Sequence, residues 1–276
     1  MPDFLRATID VLLGIGLLFG GGELFVQGSV ALALVFGIPQ LVIGLTVVSL
    51  GTSAPELFVS LSSVFKGSDA LAVSNAVGSN IFNVMVVLGA SALVLPLRVE
   101  SRLVRRDIPL LIAISAAVWG MASAGRMTWQ AGVALLVGLV INTIWEIRTA
   151  REQPDVSVDA EPEVDANAGQ GGWGLAVFKL IAGIAVLTIG SRVLVSGAIT
   201  AATLLGVSEA VIGLTIVSAG TSTPELITSM VAALRGRTDL AIGNVVGSCL
   251  LNLTLVLGGG ALAAGSRGLL VSADLI

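Results

Sequence analysis

The sequence contains no histidine and only one cysteine, Cys249, among its 276 residues. Imidazole therefore cannot bind a metal ion or relay protons in this chain, and an intrachain disulfide is impossible. Zinc and copper prefer imidazole and thiolate ligands, so the two absences argue against transport of either metal. No nucleophile–base pair is evident, and the sequence therefore indicates neither an enzyme nor an organic cofactor.

Charged residues are also scarce. They make up 12% of the chain, whereas a soluble domain carries about 25%. So few charges cannot cover a water-facing surface, and several apolar runs reach the roughly 20 residues that cross a bilayer. The alternating strands of a membrane β-barrel are absent from the pattern. The predicted fold class is therefore an all-α polytopic membrane protein, which contacts the lipid bilayer and has no nucleic-acid partner.

The apolar runs predict eight spans in two groups, five before and three after an acidic segment. Their approximate limits are 8–36, 40–65, 70–95, 104–124, 128–147, 174–205, 209–234 and 239–264. The chain is thereby divided into a first unit (1–148), an acidic linker (149–172) and a second unit (173–276). Five carboxylates lie between Asp155 and Asp165. Because the linker also has few large apolar residues, we expect a flexible, solvated tether.

The orientation follows from the basic residues, which favour the cytoplasmic side in the short loops of membrane proteins. Eight arginines follow the third, fifth and seventh predicted spans, and four basic residues lie on the other side. The first group is Arg98, Arg102, Arg105, Arg106, Arg148, Arg151, Arg235 and Arg237. The excess predicts a cytoplasmic linker and an N-terminus outside.

An internal repeat is the strongest feature of the sequence. Residues Gly44–Glu56 read GLTVVSLGTSAPE, and residues Gly213–Glu225 read GLTIVSAGTSTPE, at an offset of 169. The same offset aligns Asn75 with Asn244 and continues without a gap, which indicates a duplicated unit. Because the first unit has an odd number of spans, the second should enter the membrane from the opposite side. Binding sites in such inverted repeats lie near the membrane midplane, where the repeats meet.

The second unit is shorter than the first. The offset predicts a partner for the fourth span near residue 273, yet the sequence ends at Ile276. We therefore expect the second unit to lack its last two helices. Because inverted repeats are built from matching halves, we favour a truncated chain over a relative that has lost the two helices.

The repeated motif places a proline directly before a glutamate inside an apolar span. Pro55 has no amide hydrogen and clashes with the preceding turn, so the helix should kink there. Carbonyl oxygens freed near Ser49–Thr52 persist in a membrane only when they are buried in protein or face a watery cavity. Thr52 and Ser53 add hydroxyls, and Glu56 lies one turn beyond Thr52, so both can face one site. A carboxylate in a span costs free energy and usually marks an ion pathway.

The second motif repeats these elements with Thr221, Ser222 and Glu225. Two further helices each supply a hydroxyl and an amide oxygen four residues apart, on one helix face. The pairs are Ser79 with Asn83 and Ser248 with Asn252. An all-oxygen cage with two carboxylates suits Ca²⁺ and can also hold Na⁺. The structural alternatives are kinked packing helices with neutral glutamates, and serines and asparagines that only join helices.

These motifs resemble the α-repeats of the calcium/cation antiporter superfamily, especially those of prokaryotic sodium/calcium exchangers. The matching segments are GTSAPE at 51–56, GSNIFN at 78–83, GTSTPE at 220–225 and GSCLLN at 247–252. The resemblance implies two inverted units of five helices, in which the first and sixth helices slide across a core of the second, third, seventh and eighth. It also implies exchange of Ca²⁺ for Na⁺ by alternating access in a prokaryotic cytoplasmic membrane. The sequence leaves the oligomeric state open, and a monomer is compatible with it.

Carried over by position, the resemblance makes Glu56 and Glu225 the shared ligands of Ca²⁺ and Na⁺. It adds hydroxyl or backbone oxygens of Thr52, Ser53, Thr221 and Ser222, and the backbone carbonyls of Ser49 and Ser218. It places Ser79 and Ser248 at flanking sodium sites, and Asn83 and Asn252 at the centre. Some sodium/calcium exchangers have Asp where Asn252 stands here, so this core holds two carboxylates and the coupling ion is open. Ca²⁺/H⁺ exchange is one alternative, and a passive cation pore and a non-transporting truncated remnant are two others.

Overall fold

The structure is a computed structural model that describes residues 2–152, 172–207 and 218–271. Within these ranges nearly the whole chain is helical. Most of the predicted acidic linker, from 153 to 171, lies outside the described residues. The same holds for 208–217, which form the first part of the seventh predicted span.

The helices of the described residues are numbered in chain order. In chain order they are α1 Pro2–Phe36, α2 Gln40–Thr52, α3 Ala54–Phe65, α4 Asp69–Val94, α5 Ile108–Ala122, α6 Trp129–Glu152, α7 Gly172–Leu204, α8 Ser218–Thr221, α9 Thr223–Leu234 and α10 Thr238–Arg267. Two short strands, β1 Arg126–Met127 and β2 Leu269–Leu270, pair antiparallel with Met127 opposite Leu269.

Five helices of the described chain are long and apolar enough to cross a membrane, namely α1, α4, α6, α7 and α10. A sixth span results when the bent pair α2–α3 is counted as one. The eight spans expected from the sequence therefore stay a prediction. The fourth one begins with Arg105, Arg106 and Asp107, whose charges lower its apolar character. The seventh is described only from Ser218 onward.

Helices α1 and α7 pack along their length through glycines spaced seven residues apart. Gly14, Gly21 and Gly28 of α1 face α7, and Gly183, Gly190 and Gly197 of α7 face α1. A Cβ atom on Gly14 would lie 2.6 Å from the amide nitrogen of Leu194, and one on Gly183 would lie 2.7 Å from that of Phe25. The two sets are related by the repeat offset of 169. Small residues let membrane helices approach this closely.

Helix α10 occupies the centre of the molecule. Its most apolar window is 94% buried, against 22% for α4, the helix at the equivalent place in the repeat. It packs on α2 nearly backbone to backbone, since a Cβ atom on Gly243 would lie 2.6 Å from the carbonyl oxygen of Leu41. This places the polar residues Asn244, Ser248 and Asn252 in the interior.

In the part of the chain that the structure describes, four five-residue segments are π-helical: Gly44–Val48, Asn83–Val87, Leu103–Asp107 and Asn252–Val256. Single π turns redirect side chains within a helix and are frequent at functional sites. Two of the four begin at Asn83 and Asn252, the central amides expected from the sequence.

Ion pairs between buried carboxylates and partly exposed arginines join helix ends on both sides of the fold. The buried carboxylate of Glu146 on α6 accepts from Arg102 and Arg106 at the start of the α5 region, where the backbone is already helical. At the opposite end, Asp69 at the start of α4 accepts from Arg267, the last residue of α10. These pairs fix the ends of the helices that surround the site.

The glycine contacts predict a stability difference between two adjacent residues. Gly21→Ala should destabilise the protein by about 1–3 kcal/mol, because the new methyl would lie 2.8 Å from the amide nitrogen of Leu187. Gly20→Ala is the matched control, since no described atom of another helix lies within 4 Å of the position that its Cβ would take. Thermal unfolding of the purified protein in detergent measures the difference. Equal apparent melting temperatures for the two variants would contradict this account of the α1–α7 contact.

Candidate functional site

The two Pro-Glu motifs break their helices at equivalent serines. The chain bends by 46° between α2 and α3, which confirms the kink predicted at Pro55. Ser53 at the break has φ −82° and ψ 4°, and Ser222, between α8 and α9, has φ −91° and ψ 9°. Proline suits the first turn of a helix, where its missing amide hydrogen is not needed. Each break therefore starts a new helix whose first turn carries a glutamate, Glu56 or Glu225.

The two carboxylates are fully buried and each is held by the other motif. The hydroxyl of Ser222 donates to Glu56 Oε1 at 2.9 Å, and the hydroxyl of Ser53 donates to Glu225 Oε1 at 3.2 Å. Both glutamates also lie in the first turn of a helix, where the positive end of the helix dipole favours negative charge. The two halves of the repeat thus meet through reciprocal serine–glutamate bonds.

Hydroxyls from the neighbouring helices extend this network. Ser79 lies 3.1 Å from the hydroxyl of Ser222 and 3.5 Å from Glu56 Oε1. In the other half, Thr52 donates to Asn244 Oδ1 at 3.1 Å and lies 3.5 Å from the hydroxyl of Ser248. All of these side chains are buried.

Several buried oxygens at the centre have no hydrogen-bond partner among the described residues. They include the second carboxylate oxygens of Glu56 and Glu225 and the amide oxygens of Asn83 and Asn252. Leaving a buried polar atom unsatisfied costs about 1–3 kcal/mol, and more for a charged group. A bound cation would satisfy these oxygens. The described chain has no cluster of three or more histidine, cysteine, aspartate or glutamate side chains, so the donors are hard oxygens with only two charges.

Two asparagines that the repeat aligns, but that were not predicted to belong to the site, support the glutamates. Asn75 donates to the carbonyl oxygen of Glu56 at 3.1 Å and to the Ser60 hydroxyl at 3.0 Å. Asn244 does the same in the other half, to the Glu225 carbonyl at 3.4 Å and to a serine hydroxyl at 2.9 Å. The repeat register was the available signal, because Asn75 and Asn244 occupy equivalent positions. Their bonds fix the first turn that carries each glutamate.

A third residue that was not predicted from the sequence completes the second motif. Pro224 cannot donate to the carbonyl oxygen of Gly220 one turn earlier. The hydroxyl of Ser191 on α7 donates to this oxygen instead, at 2.6 Å. A backbone group freed by the proline is thereby satisfied by a neighbouring helix.

Three further residues expected at the site are Ser49, Ser218 and Thr221. The Ser49 carbonyl accepts the Ser53 amide at 2.9 Å, as in a continuous helix, and the Thr52 hydroxyl lies 3.3 Å from it. Ser218 begins α8, and its side chain lies outside the described atoms. Thr221 is half-buried and lines a cavity beside the site.

This cavity has a volume of about 330 Å³ and lies between α7 and the start of α3. Pro55 and Thr221, one from each motif, form its inner wall, and Arg192 of α7 also lines it. A second void, too narrow for a water molecule, continues from Pro55 to Thr52. Arg192 is thus a basic residue close to, but outside, the hydrogen-bonded network.

Comparisons with known proteins agree on one family. The chain matches the family model described as sodium/calcium exchanger protein over residues 7–148 and 175–274. It is 38% identical to the putative antiporter CaxA of Alkalimonas amylolytica, over 94% of this chain and 82% of that protein. It is 30% identical to the sodium/calcium exchanger MaX1 of Methanosarcina acetivorans, over 90% of this chain and 80% of that protein.

A solved structure supports the same relationship. The structure of the sodium-calcium exchanger NCX_Mj, soaked with Na⁺ and without Ca²⁺, superposes with a TM-score of 0.83 at 30% identity. The match covers 99% of this chain and 86% of the solved chain. The likeness therefore extends over the whole described fold.

The hydroxyl contacts predict a measurable loss of cation binding. Ser222→Ala removes the hydroxyl that contacts both Glu56 and Ser79, and we expect about tenfold weaker Ca²⁺ binding, as for the loss of one hydrogen bond to a charged group. Binding is read from the Ca²⁺ dependence of the apparent melting temperature in detergent, because a ligand of the folded state stabilises it. Ser115→Ala is the control, since that hydroxyl only bonds its own helix at Leu111. Identical Ca²⁺ titrations for both variants would count against a site at Ser222.

Proposed function

The chain belongs to the sodium/calcium exchanger family and is a membrane cation antiporter, and from this premise we propose that it exchanges Ca²⁺ for Na⁺ by alternating access. The cations bind between the two Pro-Glu motifs, with Glu56 and Glu225 as their shared ligands. The hydroxyls of Thr52, Ser53 and Ser222 and the central amides complete the oxygen shell.

One observation carries the proposal: two buried carboxylates, each held by a serine of the opposite motif, each keep one oxygen free of any described partner. Two ionised carboxylates balance the charge of one Ca²⁺ or of two Na⁺. Ca²⁺ accepts carboxylate, hydroxyl and amide oxygens in flexible geometry. The donor set therefore fits either cargo, taken in turn.

The same charges explain why the cations would exchange rather than leak. Two ionised carboxylates without a counter-charge are costly inside a membrane protein. The empty, doubly ionised site is therefore a poorly populated state, and the helices change position mainly with cargo bound. After one cation has been released, the helices therefore return with another cation bound, so that the two transport steps are coupled.

The repeat supports the architecture that this mechanism needs. We infer two units of inverted topology, 1–148 and 173–276, with the N-terminus outside and the chain in a cytoplasmic membrane. The glycines that join α1 to α7 obey the offset of 169 that relates the two motifs. A smooth, glycine-lined pair of helices beside the site is compatible with sliding across the core.

Proton coupling is the competing function, because a carboxylate with a free oxygen can be neutralised by a proton as well as by Na⁺. The side chains of Asn83 and Asn252 are neutral amides and cannot carry such protons. Glu56 and Glu225 are the two described groups at the centre that can. Na⁺ and H⁺ therefore compete for the same two carboxylates, and gradients of each separate the two functions.

We expect purified protein in Na⁺-loaded vesicles to take up ⁴⁵Ca²⁺ when the vesicles are diluted into Na⁺-free choline medium. Vesicles loaded with choline should take up little ⁴⁵Ca²⁺, because no outward Na⁺ gradient drives entry. A pH gradient, acidic inside, is applied to choline-loaded vesicles as the second arm. Uptake driven equally well by that gradient would replace Na⁺ with H⁺ as the coupling ion.

Removal of either charge should stop exchange. Glu56→Gln and Glu225→Gln should each lower the initial rate of Na⁺-driven ⁴⁵Ca²⁺ uptake by about 100-fold or more, because each removes one carboxylate from the bound cation, and losing one partner of a buried ion pair costs about 3–5 kcal/mol. Glu23→Gln is the matched control, since Glu23 lies in α1 but pairs with Arg235 near the surface. Wild-type uptake by either site variant would remove the glutamate from the mechanism.

A further inference from the structure

A chain of two side-chain amides connects the backbone of α10 to the centre of the site. Asn80 Nδ2 on α4 donates to the carbonyl oxygen of Cys249 at 3.2 Å. Asn80 Oδ1 then accepts from Asn252 Nδ2 at 3.0 Å. Asn80 is half-buried, and Asn252 is completely buried.

The hydrogen bond from Asn80 to the Cys249 carbonyl dictates which way both side-chain amides are oriented. A backbone carbonyl can only accept a hydrogen bond, so the group of Asn80 that faces Cys249 must be the NH₂. The carbonyl end of the Asn80 amide must then face Asn252 and can only receive a donor. The NH₂ of Asn252 is consequently turned toward Asn80, and its oxygen is turned the other way.

The amide oxygen of Asn252, which is turned away from Asn80, is the atom that remains available to the site. Asn252 Oδ1 is buried and has no hydrogen-bond partner among the described residues. The segment Asn252–Val256 packs against α3, the helix that carries Glu56. A flipped amide would instead point an NH₂ group, with its partial positive charge, at the cation.

The two halves of the repeat differ at this point. The offset of 169 places Cys249 at the position equivalent to Asn80. A thiol is a weak hydrogen-bonding group and cannot hold an amide in one orientation as Asn80 does. Accordingly, both polar atoms of the Asn83 side chain are without a hydrogen-bond partner of ordinary geometry in the described chain.

We propose that Asn80 is a positioning residue, which locks the amide of Asn252 so that its oxygen faces the transported cation. This rests on the proposed function, in which Asn252 contributes an oxygen to the shell of the cation. It makes the two central asparagines unequal: Asn252 is an oriented ligand, and Asn83 is free to adjust to the cargo.

The test is a mutant cycle read by cation binding, with Ca²⁺ and Na⁺ titrated separately against the apparent melting temperature. Asn80→Leu removes both hydrogen bonds at similar size, and we expect about tenfold or greater loss of Ca²⁺ affinity, as for other residues that orient a metal ligand. The same substitution is then made in the Asn252→Asp and Asn252→Ala backgrounds. A carboxylate presents oxygen in either orientation and alanine presents none, so Asn80→Leu should change affinity less than about twofold in both.

Asn142→Leu serves as the control, because Asn142 is another half-buried asparagine whose partner, Arg106, lies away from the site. It should leave Ca²⁺ affinity unchanged. Multiplicative losses for Asn80→Leu in all three backgrounds would overturn the positioning role and indicate a general packing effect. Unchanged affinity in Asn80→Leu alone would also overturn it.

The binding readout separates this proposal from the function on which it rests. Failure of Na⁺-driven ⁴⁵Ca²⁺ uptake by a wild-type protein that binds Ca²⁺ or Na⁺ overturns the proposed exchange, and the cycle still reports on Asn80. A wild-type protein that binds neither cation overturns both.

Discussion

Two carboxylates must be kept inside a stack of apolar helices, and the other features of the centre follow from that constraint. One such group costs about 2.5–3.5 kcal/mol at the middle of a span by insertion scales. Here there are two, Glu56 and Glu225, each bonded to a serine of the opposite motif. Each serine satisfies one oxygen, and the other has no hydrogen-bond partner among the described residues. In the proposed function a cation, and not a further protein group, completes the site.

Proline and glycine provide the backbone geometry that this requires. Each proline ends one helix and starts another at the glutamate, so that a helix N-terminus lies at the site. Glycines let α10 lie against α2 and α1 against α7 with almost no side chain between them. Close approach of backbones brings the oxygens of different helices within hydrogen-bond distance, and it keeps lipid away from the carboxylates.

The sequence was sufficient for features that depend on one helix or on the repeat, and insufficient for those that depend on pairs of helices. The kink at Pro55 follows from local chemistry and is confirmed. The pairing of Ser53 with Glu225 could not be read from the sequence, because the repeat places equivalent residues in register but does not say how the halves cross. Hydropathy also could not distinguish α10 from α4, since the two are almost equally apolar although one is far more buried.

One expected ligand, the carbonyl oxygen of Ser49, already accepts a hydrogen bond within its own helix, and the position of the proline explains why. A proline frees the carbonyl one turn before it, and the expectation from the sequence extended this effect to Ser49. The Ser49 carbonyl instead accepts the amide of Ser53, which still belongs to the first helix. Pro224 frees the carbonyl of Gly220, and Ser191 satisfies it from α7. The effect of a proline is thus limited to one carbonyl, and which neighbour satisfies that carbonyl is a tertiary question.

The two repeat units have nearly identical motifs at the site, but the residues around the motifs differ between the units. Serine, threonine and glutamate recur unchanged in both motifs, but Ser191 has a glycine at its equivalent position, Gly22, and Asn80 has Cys249. The hydroxyl that satisfies a freed carbonyl and the amide that orients Asn252 therefore each exist on one side only. An exchanger can bind two kinds of cation at one nearly symmetric set of oxygens if some of those oxygens are fixed and others adjust. Under the proposed function, the asymmetric surroundings supply that difference without changing the ligands.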